Sequence, residues 1–183
     1  MSDFSLFIDA QTIDDAAKES DFDLHLPSPE DNDTVRVGSE PDLGTWVDLL
    51  KIVDTSEGPP KNDPGSKTTR VFKAVCEVLG PAEGGYAGNV GKVYYYNVFI
   101  DKTAMTPGHD MFRQTMRRIN VMNSLYSALG GDAKSGYDPK ALFGGEDKPL
   151  VGLTVKAVLR KSRYKTKSGE IKSPVDVDGF LPV

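Results

Sequence analysis

The chain holds few of the residues that carry covalent or metal chemistry. A single cysteine, Cys76, excludes an internal disulfide and points to a reducing compartment. It falls in the apolar run 71–79, where a thiol acts as a small buried hydrophobe rather than a nucleophile. The only histidines are His25 and His109, and with one distant cysteine they assemble no zinc-ligand set. His109 beside Asp110 reads as polarity at a helix start. No apolar run approaches the roughly 20 residues of a membrane span, and MSDFSLFIDA lacks a basic n-region and an apolar h-region, so neither a membrane partner nor a secretory leader is expected.

The other chemical signatures also fail on inspection. The stretch GGYAGNVGKV is not a phosphate loop: six positions before Lys92 stands Tyr86 rather than glycine, and Val93 takes the place of the Ser/Thr that would bind magnesium. It reads as a glycine-rich turn. Among paired acids, Asp14/Asp15 lie in an acidic arm, Glu146/Asp147 in a loop, and Asp176/Asp178 alternate with Val175 and Val177 and so face solvent. No rigid acid cluster suits a nuclease. The expectation is a non-enzymatic protein without cofactor or metal.

What the chain does have is charge, placed very unevenly. Its net charge is −5, yet residues 1–42 carry 12 Asp/Glu against two Lys/Arg, and residues 43–183 carry 15 against 20. Residues 1–42 are too acidic and too poor in aliphatics to build a core, and are read as a largely disordered arm. Within it Phe4, Leu6, Phe7, Ile8 and Ile13 form a candidate motif for lying on the body. The most basic stretch is KAVLRKSRYKTKSGEIK, 156–172, with seven Lys/Arg, one Glu and a tyrosine around a Ser168–Gly169 turn. Positive charge concentrated on one element of an acidic protein points to a polyanionic partner.

From residue 43 the pattern is mainly β. GTWVDLLKIVD (44–54) is rich in β-formers but ambiguous in phase, because both Trp46/Leu50/Ile52 and Val47/Leu49/Val53 read as a buried face. A bulge or a strongly coiled strand reconciles them. A polar loop, 55–69, leads to RVFKAVCEVLG (70–80), with Phe72, Ala74, Cys76 and Val78 inward, Lys73 and Glu77 outward. GKVYYYNVFID (91–101) is a third strand. Phe112, Met116, Ile119, Met122, Tyr126 and Leu129 then mark one face of a helix, started by Thr106–Pro107 and stopped by Gly130–Gly131, with Arg113 and Arg117 sharing another face. In LVGLTVKAVLRKSRY, Val151, Leu153, Val155, Ala157 and Leu159 point inward, and Thr154, Lys156, Val158, Arg160, Ser162 and Tyr164 outward. Residues 174–180 close the chain as a strand. Five strands with one helix between the third and fourth match the connectivity of an OB-fold, a small barrel that binds oligonucleotides with one face and the loops after strands 1 and 4. Those loops here are 55–69 and 161–173.

Single-stranded nucleic acid is held by positive charge along its backbone and by aromatic faces on which bases stack. Successive strand residues alternate faces, so Tyr94, Tyr95 and Tyr96 cannot all be buried: either Tyr95 and Phe99 face the core with Tyr94 and Tyr96 outward, or the reverse. The candidate contacts are Trp46, Tyr94, Tyr96 and Tyr164 for stacking. Lys67, Arg70, Lys73, Lys156, Arg160, Arg163, Lys165 and Lys167 are the candidates for phosphate. Their shared placement on one fold's binding elements argues more than any one of them.

On these motifs the chain resembles the small OB-fold single-stranded DNA-binding proteins of tailed bacteriophages. The likeness runs through an acidic N-terminal segment, the GTWVDLLKIVD strand, VFKAVCEVLGPAEGGYAGNVGKVYYYNVFI, a helix ending SALGGD, LVGLTVKAVL and the terminal GFLPV, and covers most of residues 40–183. It implies a sequence-independent single-stranded DNA-binding protein of replication or recombination, residing in the host cytoplasm. It departs in ending VDVDGFLPV, where many such proteins carry an acidic tail that recruits replication partners; here the N-terminal arm would take that role, or would shield the groove. The alternative is a phage structural or assembly protein whose β-barrel makes protein contacts. Oligomeric state and the choice between DNA and RNA stay open.

Overall fold

The computed structural model describes residues 5–19, 36, 38 and 40–183. Its elements are α1 (Ala10–Glu19), β1 (Gly44–Gly58), β2 (Thr69–Pro81), β3 (Val93–Asp101), α2 (Phe112–Ala128), α3 (Pro139–Gly144), β4 (Thr154–Lys161), β5 (Tyr164–Lys165), β6 (Ile171–Lys172) and β7 (Val175–Leu181). β3-β2-β1-β4-β7 form one curled antiparallel sheet, a half-barrel, and β5 and β6 form a separate hairpin. The protein is mainly β, as its alternation implies. None of the described helices is long and apolar enough to cross a membrane.

The phase ambiguity of β1 is resolved by two bulges. Leu49 pairs with Gly80 and Leu50 with Val78, so Leu79 of β2 is the extra residue; Ile52 pairs with Cys76 and Asp54 with Val75, so Val53 is extra in β1. Each bulged residue is exposed although apolar, and beyond Val53 the buried position moves to Thr55. Trp46, Leu50 and Ile52 therefore form the inner face. Phe72, Ala74, Cys76 and Val78 of β2 join them, with Tyr96, Val98 and Ile100 of β3 and Val155, Ala157 and Leu159 of β4. Burial pushes the Cys76 thiol up to about 12, so it stays protonated and unreactive at neutral pH.

α2 closes the open side of the curl with Phe112, Met116, Ile119, Met122 and Leu125, and ends where Gly130 adopts φ +87°. Three expectations need correction. Helices other than α2 are present: α3 sets Phe143 against Phe72, ring centroids 5.7 Å apart, and α1 packs on α2. Val151 and Leu153 precede β4 and are exposed, whereas Val158, expected outward, is buried beside its pairing partner Val47.

The third correction concerns the arm. Residues 5–19 belong to the folded body: Leu6, Ile8 and Ala16 are buried, and Ile13 packs against the core. Ile8 and Tyr137 exchange backbone hydrogen bonds of 3.0 Å, and Glu19 pairs with Arg113 at 3.3 Å. Phe7 is exposed, and Phe4 lies outside the described residues. The expectation of disorder falls, for residues 20–35, outside them as well. Further on, Arg36 rests 5.5 Å over the Tyr86 ring and donates to its hydroxyl at 2.9 Å, tying the end of the arm to the body.

Candidate nucleic-acid interface

The tyrosine triplet settles in one phase. Tyr96 (6 % exposed) stands in line with Val98 and Ile100, and Tyr95 (67 %) in line with Asn97 and Phe99 (43 %). The inner row is continuously apolar and the outer row is broken by an amide, so hydrophobic burial selects this phase over its reverse. Asn97 is the residue in the sequence that marks the outward row. The outer face of β2 and β3 thus presents Tyr95 and Phe99, about 14 Å apart at ~3.4 Å per residue. Lys73 stands opposite Asn97.

Two grooves flank this face. One, of about 290 Å³, lies between the β1–β2 loop and the sheet and is lined by Pro59, Lys61, Asn62, Val71, Lys73, Asn97 and Phe99. The other, of about 380 Å³, occupies the seam where β3 and β7 approach each other without pairing, under α2. Tyr95, Asn97, Gln114, Arg117, Arg118, Arg160, Asp176 and Asp178 are among its lining residues. Asn97 lines both, so the grooves form one surface across β3. That surface ends at the root of the β5–β6 hairpin, which springs from Lys161 and Val175.

The hairpin is built as its sequence implies. Tyr164 pairs with Lys172 and Lys165 with Ile171, and Gly169, at φ +88°, makes the turn with its amide donating to the Thr166 carbonyl at 2.9 Å. Arg163, Tyr164, Lys165 and Lys167 are all exposed, and no ion pair holds these three cations among the described residues. The hairpin and the β1–β2 loop stand at opposite ends of β1, since Gly44 pairs with Lys161 and Gly58 with Val71. β1 runs to Gly58, so the loop is 59–68, with Lys67 exposed near its end.

Several expected contacts lie elsewhere. Trp46 is fully buried, edge-on to Tyr86 with centroids 6.2 Å apart, and Tyr96 is buried at the centre of the core; neither offers a face to a base. Tyr94 is half-buried on the same inner side, its hydroxyl 3.5 Å from a Glu40 carboxylate oxygen. Arg70 lies on the Phe72 side of β2, away from Lys73, with Nε 3.8 Å from Glu57. Lys156 pairs with Glu83 at 3.5 Å, and Arg160 with Asp178 at 2.7 Å. Of the body cations expected to contact phosphate, Lys73 and Arg160 are the two that the structure places on the grooved surface.

Asp178 also departs from its expected place. Val177 pairs with Leu159 and Gly179 with Val158, which leaves Asp178 as the extra residue of a bulge. Instead of facing solvent it lies in the seam, 2.7 Å from Arg160 Nε and 3.5 Å from Arg117 Nη2. Burial pushes its carboxyl above the usual carboxylate range although both arginines pull it down. Arg118 reaches the same groove and donates from Nη1 to the Phe99 carbonyl at 3.1 Å.

The inner row of β1 also carries a buried polar residue, in line with Trp46 and Leu50. Asp48 is fully buried, accepts from Trp46 Nε1 at 2.9 Å and Asn89 Nδ2 at 3.4 Å, and has its carboxyl pushed up by burial. Among the described residues no group of three His, Cys, Asp or Glu is placed to hold a metal ion. Neither a protein-family model nor a curated protein matches the chain.

Proposed function

We propose that this protein binds single-stranded DNA without sequence preference, through phosphate neutralisation and base stacking, and that its curled sheet is an OB-fold-like barrel. The sheet order β3-β2-β1-β4-β7, with a helix against the gap between β3 and β7, supports that fold. The observation that carries the function is the surface across β3. Two exposed aromatic rings, Tyr95 and Phe99, stand between a lysine-bearing groove and an arginine-lined one, and the second leads to a hairpin of exposed cations. Every base has a face that stacks on an aromatic ring, so such a surface holds a strand whatever its sequence. We take its setting, from the resemblance to phage proteins, to be phage replication or recombination, with partners docking through the acidic arm. No residue here is assigned a catalytic role.

Binding of labelled oligo-dT under increasing salt tests the proposal. Binding at about 50 mM salt that weakens steeply as salt rises is expected, since each neutralised phosphate releases counterions. No binding at about 50 mM overturns it, and a protein that ignores DNA yet forms large rings supports an assembly role instead.

A further inference from the structure

The seam between β3 and β7 holds an arrangement that stacking and diffuse charge do not account for. Two guanidiniums from separate elements, Arg117 on α2 and Arg160 on β4, converge on the two oxygens of one carboxylate, at 3.5 and 2.7 Å. The carboxylate belongs to a bulged residue, and a bulge is the device by which a strand re-aims one side chain. Without it, Asp178 would follow Asp176 to the outside of the sheet.

From this geometry we infer that the seam is a phosphodiester-binding site and that Asp178 holds the place of the phosphate while no strand is bound. The inference rests on the DNA-binding reading and adds to it a located phosphate subsite with a competitor built into the chain. A carboxylate bridging two guanidiniums presents two oxygens much as a phosphodiester presents its two non-bridging oxygens, and planar guanidiniums suit both. The groove is open and of small-ligand size, about 380 Å³, so the carboxylate lies against space that a larger anion can enter. Arg118 and Gln114 line the same space, and so does Tyr95, which sets a stacking ring beside the phosphate position. Charge favours the exchange: Arg117, Arg118 and Arg160 face Asp176 and Asp178, so a phosphate that displaces Asp178 meets three cations and one acid. Asp178 is also a costly occupant, being desolvated, and regains water when displaced.

The test compares Asp178→Asn with Asp176→Asn, which removes the same charge from the same groove without releasing a guanidinium. Asp178→Asn is expected to bind oligo-dT about tenfold more tightly, the scale of one charge-assisted hydrogen bond, with the salt slope of the wild type, because the same phosphate is neutralised in both once Asp178 has been displaced. Asp176→Asn is expected to change affinity by less and leave the slope in place. Equal effects from the two variants, or no gain from Asp178→Asn while the wild type binds, overturn the inference. Failure of the wild type to bind overturns the DNA-binding reading itself. Should Asp178→Asn not fold, the Nε–H resonances of Arg117 and Arg160 in the wild type decide: they are expected to shift when oligo-dT is added, and unmoved resonances in a protein that binds the strand overturn the site.

Discussion

The ring of Tyr96 on β3 meets the ring of Phe180 on β7 edge-on, centroids 5.1 Å apart and planes at 82°. This contact joins the two outer strands of the sheet through the inside of the curl. It depends on the bulge at Asp178: plain alternation from Val175 and Val177 would turn Phe180 outward, whereas the extra residue brings it opposite Ala157 and into the core. One inserted residue thus closes the core at Phe180 and delivers Asp178 to the arginines of the seam.

The Tyr96 hydroxyl is buried with no hydrogen-bond partner among the described residues. An unmet buried hydroxyl costs about 1–3 kcal/mol, so Tyr96→Phe is expected to raise stability by up to that amount and leave DNA affinity alone. Phe180→Ala should instead lose about 3–5 kcal/mol. Urea unfolding reads both, and a destabilised Tyr96→Phe would show that the hydroxyl has a partner.

Tyr95 and Phe99 carry the stacking claim. Alanine at either position is expected to weaken oligo-dT binding by about 1–3 kcal/mol, the contribution of a stacked base, with little change in melting temperature because both rings are exposed. Fluorescence anisotropy beside a thermal melt separates the two effects. Unchanged affinity in the double variant would remove the outer face of β3 from the interface.

Lys165 and Lys167 test the hairpin. Each changed to alanine should make the salt slope of binding less negative by about 0.7, if each neutralises one phosphate of a single strand. A parallel slope at lower affinity would assign the hairpin a role other than phosphate contact.

Asp48 is expected to govern part of the pH dependence of stability. Burial raises its carboxyl in the folded protein, so the folded state binds the proton more readily than the unfolded chain does. Its contribution to stability is therefore largest in acid and is lost as pH rises from the ordinary carboxylate range through the folded value. Asp48→Asn keeps an oxygen for Trp46 Nε1 and removes the titration. Urea unfolding from about pH 4 to 7 should give a flatter profile for the variant, and parallel profiles would refute the assignment.

Ile8 tests the attachment of the N-terminal residues. It is fully buried and bridged to Tyr137, whose hydroxyl donates to Asn123 on α2 at 2.8 Å. Ile8→Ala should cost about 2–5 kcal/mol. A loss below ~1 kcal/mol would mean that this segment contributes little to the body. Deleting residues 1–40 would also uncover the core, so shielding of the groove by the arm is better tested by neutralising its acids than by truncation.

The strands, α2 and the basic hairpin were legible because each is written in a local pattern: apolar residues every second or every three to four positions, and a Gly169 turn between cations. The candidate site was legible only in part. Lys73, Arg160 and the exposed hairpin residues follow from outward positions on expected strands. Arg117 and Arg118 on α2 were not connected to them, because nothing in the chain says which helix face closes the gap between β3 and β7.

By itself the sequence determined the mainly β class, the core-facing rows of β2 and of α2, and the segregation of acid from base, since burial and charge act on patterns a few residues long. The tertiary structure decided three further things: which of three tyrosines is presented, which cations are engaged by acids, and where Asp178 points. Each of these turns on a partner far away in the chain. A bulge is visible only against the strand it faces, and Glu57, Glu83 and Asp178 reach Arg70, Lys156 and Arg160 only after the sheet has curled. Periodicity says which side of a strand a residue occupies, and only packing says what meets it there.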